Sequence, residues 1–134
     1  MDPAKLNYLA IFAAAASTFL VGGLWYSPVL FGKAWQRETG LTDDELKRRH
    51  PAKIFGPAFA LAMLMAFNLA AFLGPDATPG FAVAAAFAAG FGWVALGMGV
   101  TYLFEARGWR LWLIDAGYHT VSFTLMGVIL GIWK

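Results

Sequence analysis

Cysteine is absent from the 134 residues. Its absence excludes disulfides, thiolate metal sites and thiol nucleophiles, and it leaves the redox compartment unread. Histidine is scarce too, with His50 and His119 alone, far too few for a ligand cluster, so neither a metal site nor a cofactor is expected. Charged residues make up 13% of the chain, about half the share of an ordinary soluble domain. A net charge of +2 gives no basic surface of the kind nucleic acid requires. Paired carboxylates and an activated serine are also missing. A membrane enzyme is therefore the least supported of the function classes considered below.

What fills the chain is apolar: 60% of residues are hydrophobic. A soluble domain of this size could not hide so much apolar surface beneath a polar exterior. Lipid removes that conflict. The apolar residues gather in four runs: about 6–27, closed by Pro28; 54–73, ending at Gly74-Pro75; 81–104; and 112–133, which holds one acid, Asp115. A bilayer core of roughly 30 Å needs about 20 helical residues, and only helices satisfy the backbone over such lengths. The expected fold is all-α: one transmembrane domain over 1–134, with four helices in one bundle. The first run is too long for the apolar part of a signal peptide, and three similar runs follow it.

Lys and Arg set the expected orientation. Lys33, Arg37, Lys47, Arg48, Arg49, Lys53, Arg107 and Arg110 fall on one side, against Lys5 and Lys134 on the other. Loop 33–53 is therefore expected in the cytoplasm and both termini outside, on the periplasmic face of a cell membrane. Within that loop Thr42-Asp43-Asp44-Glu45 forms a capping box, flanked by Leu41 and Leu46 as a hydrophobic staple. A short amphipathic helix is expected from Asp43 to about His50, stopped by Pro51. Its basic end, Lys47, Arg48, Arg49 and Lys53, would face an anionic inner leaflet. These charges either fix topology alone or bind a specific lipid headgroup or protein.

Three segments carry a resemblance. They are Gly22-Gly23-Leu24-Trp25-Tyr26-Ser27-Pro28 with Phe31-Gly32-Lys33-Ala34-Trp35; Gly40-Leu41-Thr42-Asp43-Asp44-Glu45-Leu46-Lys47; and Leu111-Trp112-Leu113-Ile114-Asp115-Ala116-Gly117-Tyr118-His119. Together they resemble the DUF1761 family of small bacterial four-helix membrane proteins, and they span nearly the whole chain. The resemblance implies a fold and no mechanism, since the family has no assigned function.

The candidate chemistry centres on the fourth run. Asp115 and His119 are four residues apart and share one helical face. An ionisable side chain inside a membrane span is costly, faces the protein interior and has a partner. At 1.5 Å per residue, Asp115 lies about 5 Å and His119 about 10 Å below the cytoplasmic surface. Tyr26, Ser27, Thr101 and Tyr102 are expected level with Asp115, and Gly97 and Gly99 level with His119, leaving room for its ring. With Tyr118 these residues form an expected polar cluster in the inner half. The cluster either fixes helix packing, with Asp115 capping its helix or pairing with Arg107 or Arg110, or handles a proton or ligand. In the second case a reference pKa of about 6.5 suits His119 to relay work.

Asn68 and Trp93 are expected in helix packing, the indole N–H of Trp93 requiring a partner. The other five tryptophans lie at run ends as an interfacial belt. Gly127-Val128-Ile129-Leu130-Gly131 is a GxxxG seam. Ala82, Ala86 and Gly90 form a further small-residue face, as do Ala88 with Gly92, and Ala10, Ala14 and Thr18. Such faces suggest a homo-oligomer in the bilayer. Gly23-Leu24-Trp25-Tyr26 and Gly99-Val100-Thr101-Tyr102 also match well enough to suggest a parallel internal repeat. Two functional readings stay open: an oligomeric carrier or channel subunit for a small solute, ion or proton, and a structural or partner-binding membrane protein.

Overall fold

A computed structural model describes residues 2–134. Among these residues there is no strand. The main helices are α1 (Tyr8–Trp25), α2 (Gly32–Thr39), α3 (Asp43–Lys47), α4 (Pro51–Leu73), α5 (Pro79–Phe104) and α6 (Trp109–Ile132), with a single 3-10 turn at Pro3–Lys5 before them. α1, α4, α5 and α6 are long and apolar enough to cross a membrane.

The boundaries follow from local chemistry. Asn7 accepts the Ala10 amide and starts α1, and Thr78 accepts that of Phe81 and starts α5, each satisfying an amide that lacks an intrahelical acceptor. Gly40 and Gly74, both at φ +75°, end α2 and α4 in a conformation that costs glycine nothing. Thr42 accepts the Glu45 amide at 3.1 Å, and α3 runs from there.

Two expectations change here. α3 stops at Lys47, and Pro51 begins α4 rather than merely ending what precedes it. Proline lacks the amide that a first-turn residue cannot use anyway, and the His50 imidazole caps the turn by accepting the Ala52 amide. α4 therefore starts three residues before the charge-free run, with Lys53 in its first turn. α2 was not foreseen at all. Its sequence, Gly-Lys-Ala-Trp-Gln-Arg-Glu-Thr, has neither a long apolar period nor a capping side chain.

α6 lies between α1 and α5, and α4 packs chiefly on α1. The contact of α6 with α5 is made by small residues. A Cβ on Gly127 would lie 2.5 Å from the Ala86 Cβ and 2.8 Å from the Ala82 carbonyl oxygen, and one on Gly131 2.9 Å from the Ala82 Cβ. Ala82 and Ala86 are fully buried, as are Ala10 and Ala14 on α1, with Thr18 nearly so. These small-residue faces are thus occupied inside the protomer, whereas the Ala88 and Gly92 pair is exposed.

Partway along α5, residues Gly90–Ala95 form a π-helical turn. It opens at another close approach of α5 to α6: a Cβ on Gly90 would lie 2.6 Å from that of Phe123. At the other end of the molecule the Asn7 side chain donates to Trp133 O, and Lys134 Nζ donates to the carbonyls of Pro75 and Ala77.

Candidate functional site

The polar centre forms at the end of the helices that carries α2 and α3. α1 finishes at Trp25, and the chain reverses through a turn in which the Phe31 amide donates to Trp25 O and the Gly32 amide to Ser27 O. Gly32 has no alternative. Any Cβ there would press into the backbone carbonyls of Tyr26 and Ser27. This turn leaves Tyr26 facing α6, with its ring 5.9 Å from that of Trp35 on α2.

The Tyr26 hydroxyl donates to Asp115 Oδ1 at 2.7 Å, and the Tyr102 hydroxyl donates to Oδ2 at 2.6 Å. One carboxylate on α6 therefore holds a tyrosine from α1 and another from α5. Hydrogen bonds to a carboxylate are short and stronger than those between neutral groups. No basic side chain pairs with the carboxylate, although the Arg107 guanidinium lies over the Tyr102 ring, 5.3 Å from its centroid. Among the described residues the one ion pair is Arg107 with Glu105, at 2.7 Å, while Arg110 lies over the Trp109 ring. The expected pairing of Asp115 with Arg107 or Arg110 is not made. Nor does Asp115 cap its helix: the N-cap of α6 is Gly108, a full turn and more before it.

Two other hydroxyls expected here turn elsewhere. Ser27 Oγ donates to Leu24 O at 2.6 Å and Thr101 Oγ1 to Gly97 O at 3.3 Å. Both return to their own helix, the usual recourse of a short hydroxyl side chain in a helical segment. Only tyrosine is long enough to cross to α6.

His119 sits one turn beyond Asp115 and takes no part in the trio. Its ring meets the edge of the Tyr118 ring, with centroids 4.9 Å apart, and the Tyr118 hydroxyl donates to Thr18 O. Gly97 and Gly99 do not make room for it. A Cβ on Gly97 would meet nothing within 4 Å, and Gly99 faces the Trp112 indole. The glycine that approaches the His119 backbone is Gly90.

Two tryptophans read as belt residues have specific roles. Trp25 Nε1 donates to Ile114 O at 2.8 Å, and Trp112 Nε1 donates to Ala95 O at 2.7 Å. These bonds tie α1 and α5 to α6. Gly117 admits the Trp25 ring, since a Cβ there would lie 2.9 Å from Cζ2, and Gly99 admits that of Trp112. The sequence held a signal for the first of these, a glycine two residues after Asp115. The acceptor at Ala95 depends on the π-helical turn, for which the sequence shows no sign.

Asn68 and Trp93 do not pack in the interior. Trp93 is 76% exposed, and both residues line an apolar groove of about 530 Å³ between α4 and α5. Helix periodicity alone could not place them, because α4 and α5 are apolar on every face. Lys47, Arg48, Arg49 and Lys53 are all exposed. Among the described residues no group of three or more His, Asp or Glu could hold a metal ion.

The family model described as "Protein of unknown function (DUF1761)" matches residues 9–131, and the chain belongs to that family. No curated protein and no solved structure matches it.

Proposed function

We propose that this DUF1761 chain is an integral membrane protein in which Asp115 takes up and releases a proton, serving ion or small-solute transfer by an assembly of several copies. The observation that carries this reading is the state of the Asp115 carboxylate. It is partly buried where α1, α5 and α6 meet and held by two tyrosine hydroxyls, and no Lys or Arg forms an ion pair with it. Ionisable side chains within membrane spans are partnered and mark ion or proton pathways. Four helices enclose too little space for a pathway, so the transfer route runs through or between protomers. Loop 33–53 faces the cytoplasm and both termini face outside, by the excess of Lys and Arg at the loop end. There the exposed Lys47, Arg48, Arg49 and Lys53 meet anionic headgroups.

A second reading rests on the same two bonds. They join α1 and α5 to α6, so the trio can serve as a structural lock alone. Reconstitution separates the two. Vesicles containing a pH-sensitive dye are given a pH step. On the transfer reading, protein-loaded vesicles lose the gradient faster than empty ones, and Asp115→Asn, still helical by circular dichroism, returns the rate to that of empty vesicles. On the lock reading the wild type matches empty vesicles, and Tyr26→Phe and Tyr102→Phe lower stability without any effect on flux.

A further inference from the structure

A second polar group lies away from the Asp115 trio. Ser122 is 2% exposed, and its Oγ has no hydrogen-bond partner. Its neighbours show how unusual that is. Ser17, Thr18, Thr120 and Thr124 each donate to a carbonyl three or four residues back, at 2.6–2.8 Å. The same option is open to Ser122 on the same helix as Thr120 and Thr124, and its hydroxyl does not use it. A buried hydroxyl left unpaired is costly.

Ser122 and His119 together line a cavity of about 210 Å³ between α1, α4 and α6. Most of the rest of its wall is apolar, with Ala62, Met65 and Met126 among the contributors, and no Asp, Glu, Lys or Arg reaches it. The two other polar side chains at the wall are already engaged: Thr18 Oγ1 donates to Ala15 O and the Tyr118 hydroxyl to Thr18 O. Leu61, 62% exposed, stands at the outer rim and opens the cavity toward the surroundings of α4.

We infer that this cavity is a binding site for a small uncharged amphiphile, a single-ring body with one hydroxyl, whose head pairs with Ser122 Oγ and the His119 imidazole. Size sets the body: an apolar cavity of about 150 Å³ already holds benzene, so the space here takes one ring with a substituent. The absence of fixed charge in the wall excludes an ionised ligand, which would lose its hydration without compensation. The unpartnered Ser122 Oγ and the His119 imidazole, three residues apart on α6 and both in the wall, select a molecule that both donates and accepts. The site shares no side chain with the Asp115 trio, so its test reads separately from proton transfer.

The test uses 4-fluorophenol as probe and fluorobenzene as its apolar counterpart, followed by fluorine NMR on the full chain in lipid nanodiscs. Partition into lipid gives a background that grows linearly with concentration. Binding in the cavity adds a saturable signal for 4-fluorophenol. Ser122→Ala removes the hydroxyl at little cost in volume and should weaken 4-fluorophenol about three- to tenfold, the worth of one net hydrogen bond, while fluorobenzene changes less than twofold. Thermal unfolding of Ser122→Ala without probe should be unchanged or shifted upward, because the lost group had no partner. The proposal is overturned by the absence of a saturable signal, as when water or an acyl chain fills the space. It is equally overturned by an equal loss for both probes, or by a marked fall in stability.

Discussion

Gly127→Ala adds one methyl group at the tightest contact between α5 and α6. Its Cβ would lie 2.5 Å from the Ala86 Cβ and 2.8 Å from Ala82 O, whereas non-bonded carbons settle at about 3.5–4.0 Å. The contact is about 1 Å too short. Ala82 and Ala86 are fully buried and neither has a rotamer to change, so backbone must move. Overpacking of this kind costs about 1–3 kcal/mol, offset by about 0.5–1 kcal/mol from replacing a helical glycine. At the middle of both ranges the expected net loss is about 1 kcal/mol. Gly97→Ala is the control, since a Cβ there meets nothing within 4 Å and only the propensity gain should remain. The assay is unfolding in mixed micelles with rising denaturing detergent, followed by far-UV circular dichroism. Adding Ala86→Gly to Gly127→Ala removes the closer clash and should restore part of the loss, while the Ala82 carbonyl retains the rest. The packing argument fails if Gly127→Ala is as stable as the wild type, or if Gly97→Ala is the more damaging of the two.

Two further predictions concern the ends of the helices. Thr42→Ala removes the side-chain acceptor at the start of α3 and should cost about 1 kcal/mol of local helix stability. The Glu45 amide should then exchange faster with solvent while α1 and α4 stay unchanged, and unaltered exchange would refute the cap. For topology, the chain supplies its own clean background, having no cysteine. Asp44→Cys should react with a membrane-impermeant maleimide only from the cytoplasmic face, and Asp76→Cys only from outside; the opposite pattern would overturn the orientation.

The long helices were legible because the sequence states them twice, in uninterrupted apolar runs and in the caps and glycines that bound them. α2 was not, since its Gly-Lys-Ala-Trp-Gln-Arg-Glu-Thr segment is short and no side chain caps its start. The trio was legible in composition and less so in membership. Depth alone admitted four hydroxyl residues, and side-chain length decided between them: Tyr26 and Tyr102 span the gap to Asp115, whereas Ser27 and Thr101 return to their own helices. The two tyrosines that close on Asp115 are also the matching positions of the suspected repeat. His119 shows the reverse failure. A spacing of four put it on the face of Asp115, but the angle between successive turns was enough to send it toward a different gap. The position of Ser122 carried no sequence signal, because an unused hydroxyl is defined by geometry alone.

The π-helical turn at Gly90–Ala95 gives α5 a phase as well as a path. A π-helical turn holds about one residue more than an α-turn, and in a regular helix each residue advances the side-chain direction by about 100°. The half of α5 that packs Ala82 and Ala86 on α6 and the half that points Tyr102 at Asp115 are therefore out of step by that single residue. Were the turn regularised by deleting one residue within 90–95, every contact before it could persist. Tyr102 would swing by roughly a third of a revolution, away from the carboxylate, and the Ala95 carbonyl would be withdrawn from Trp112. The register of the site against the packing seam is thus counted in residues, and a single-residue change in the length of this segment uncouples the two where no ordinary side-chain substitution would.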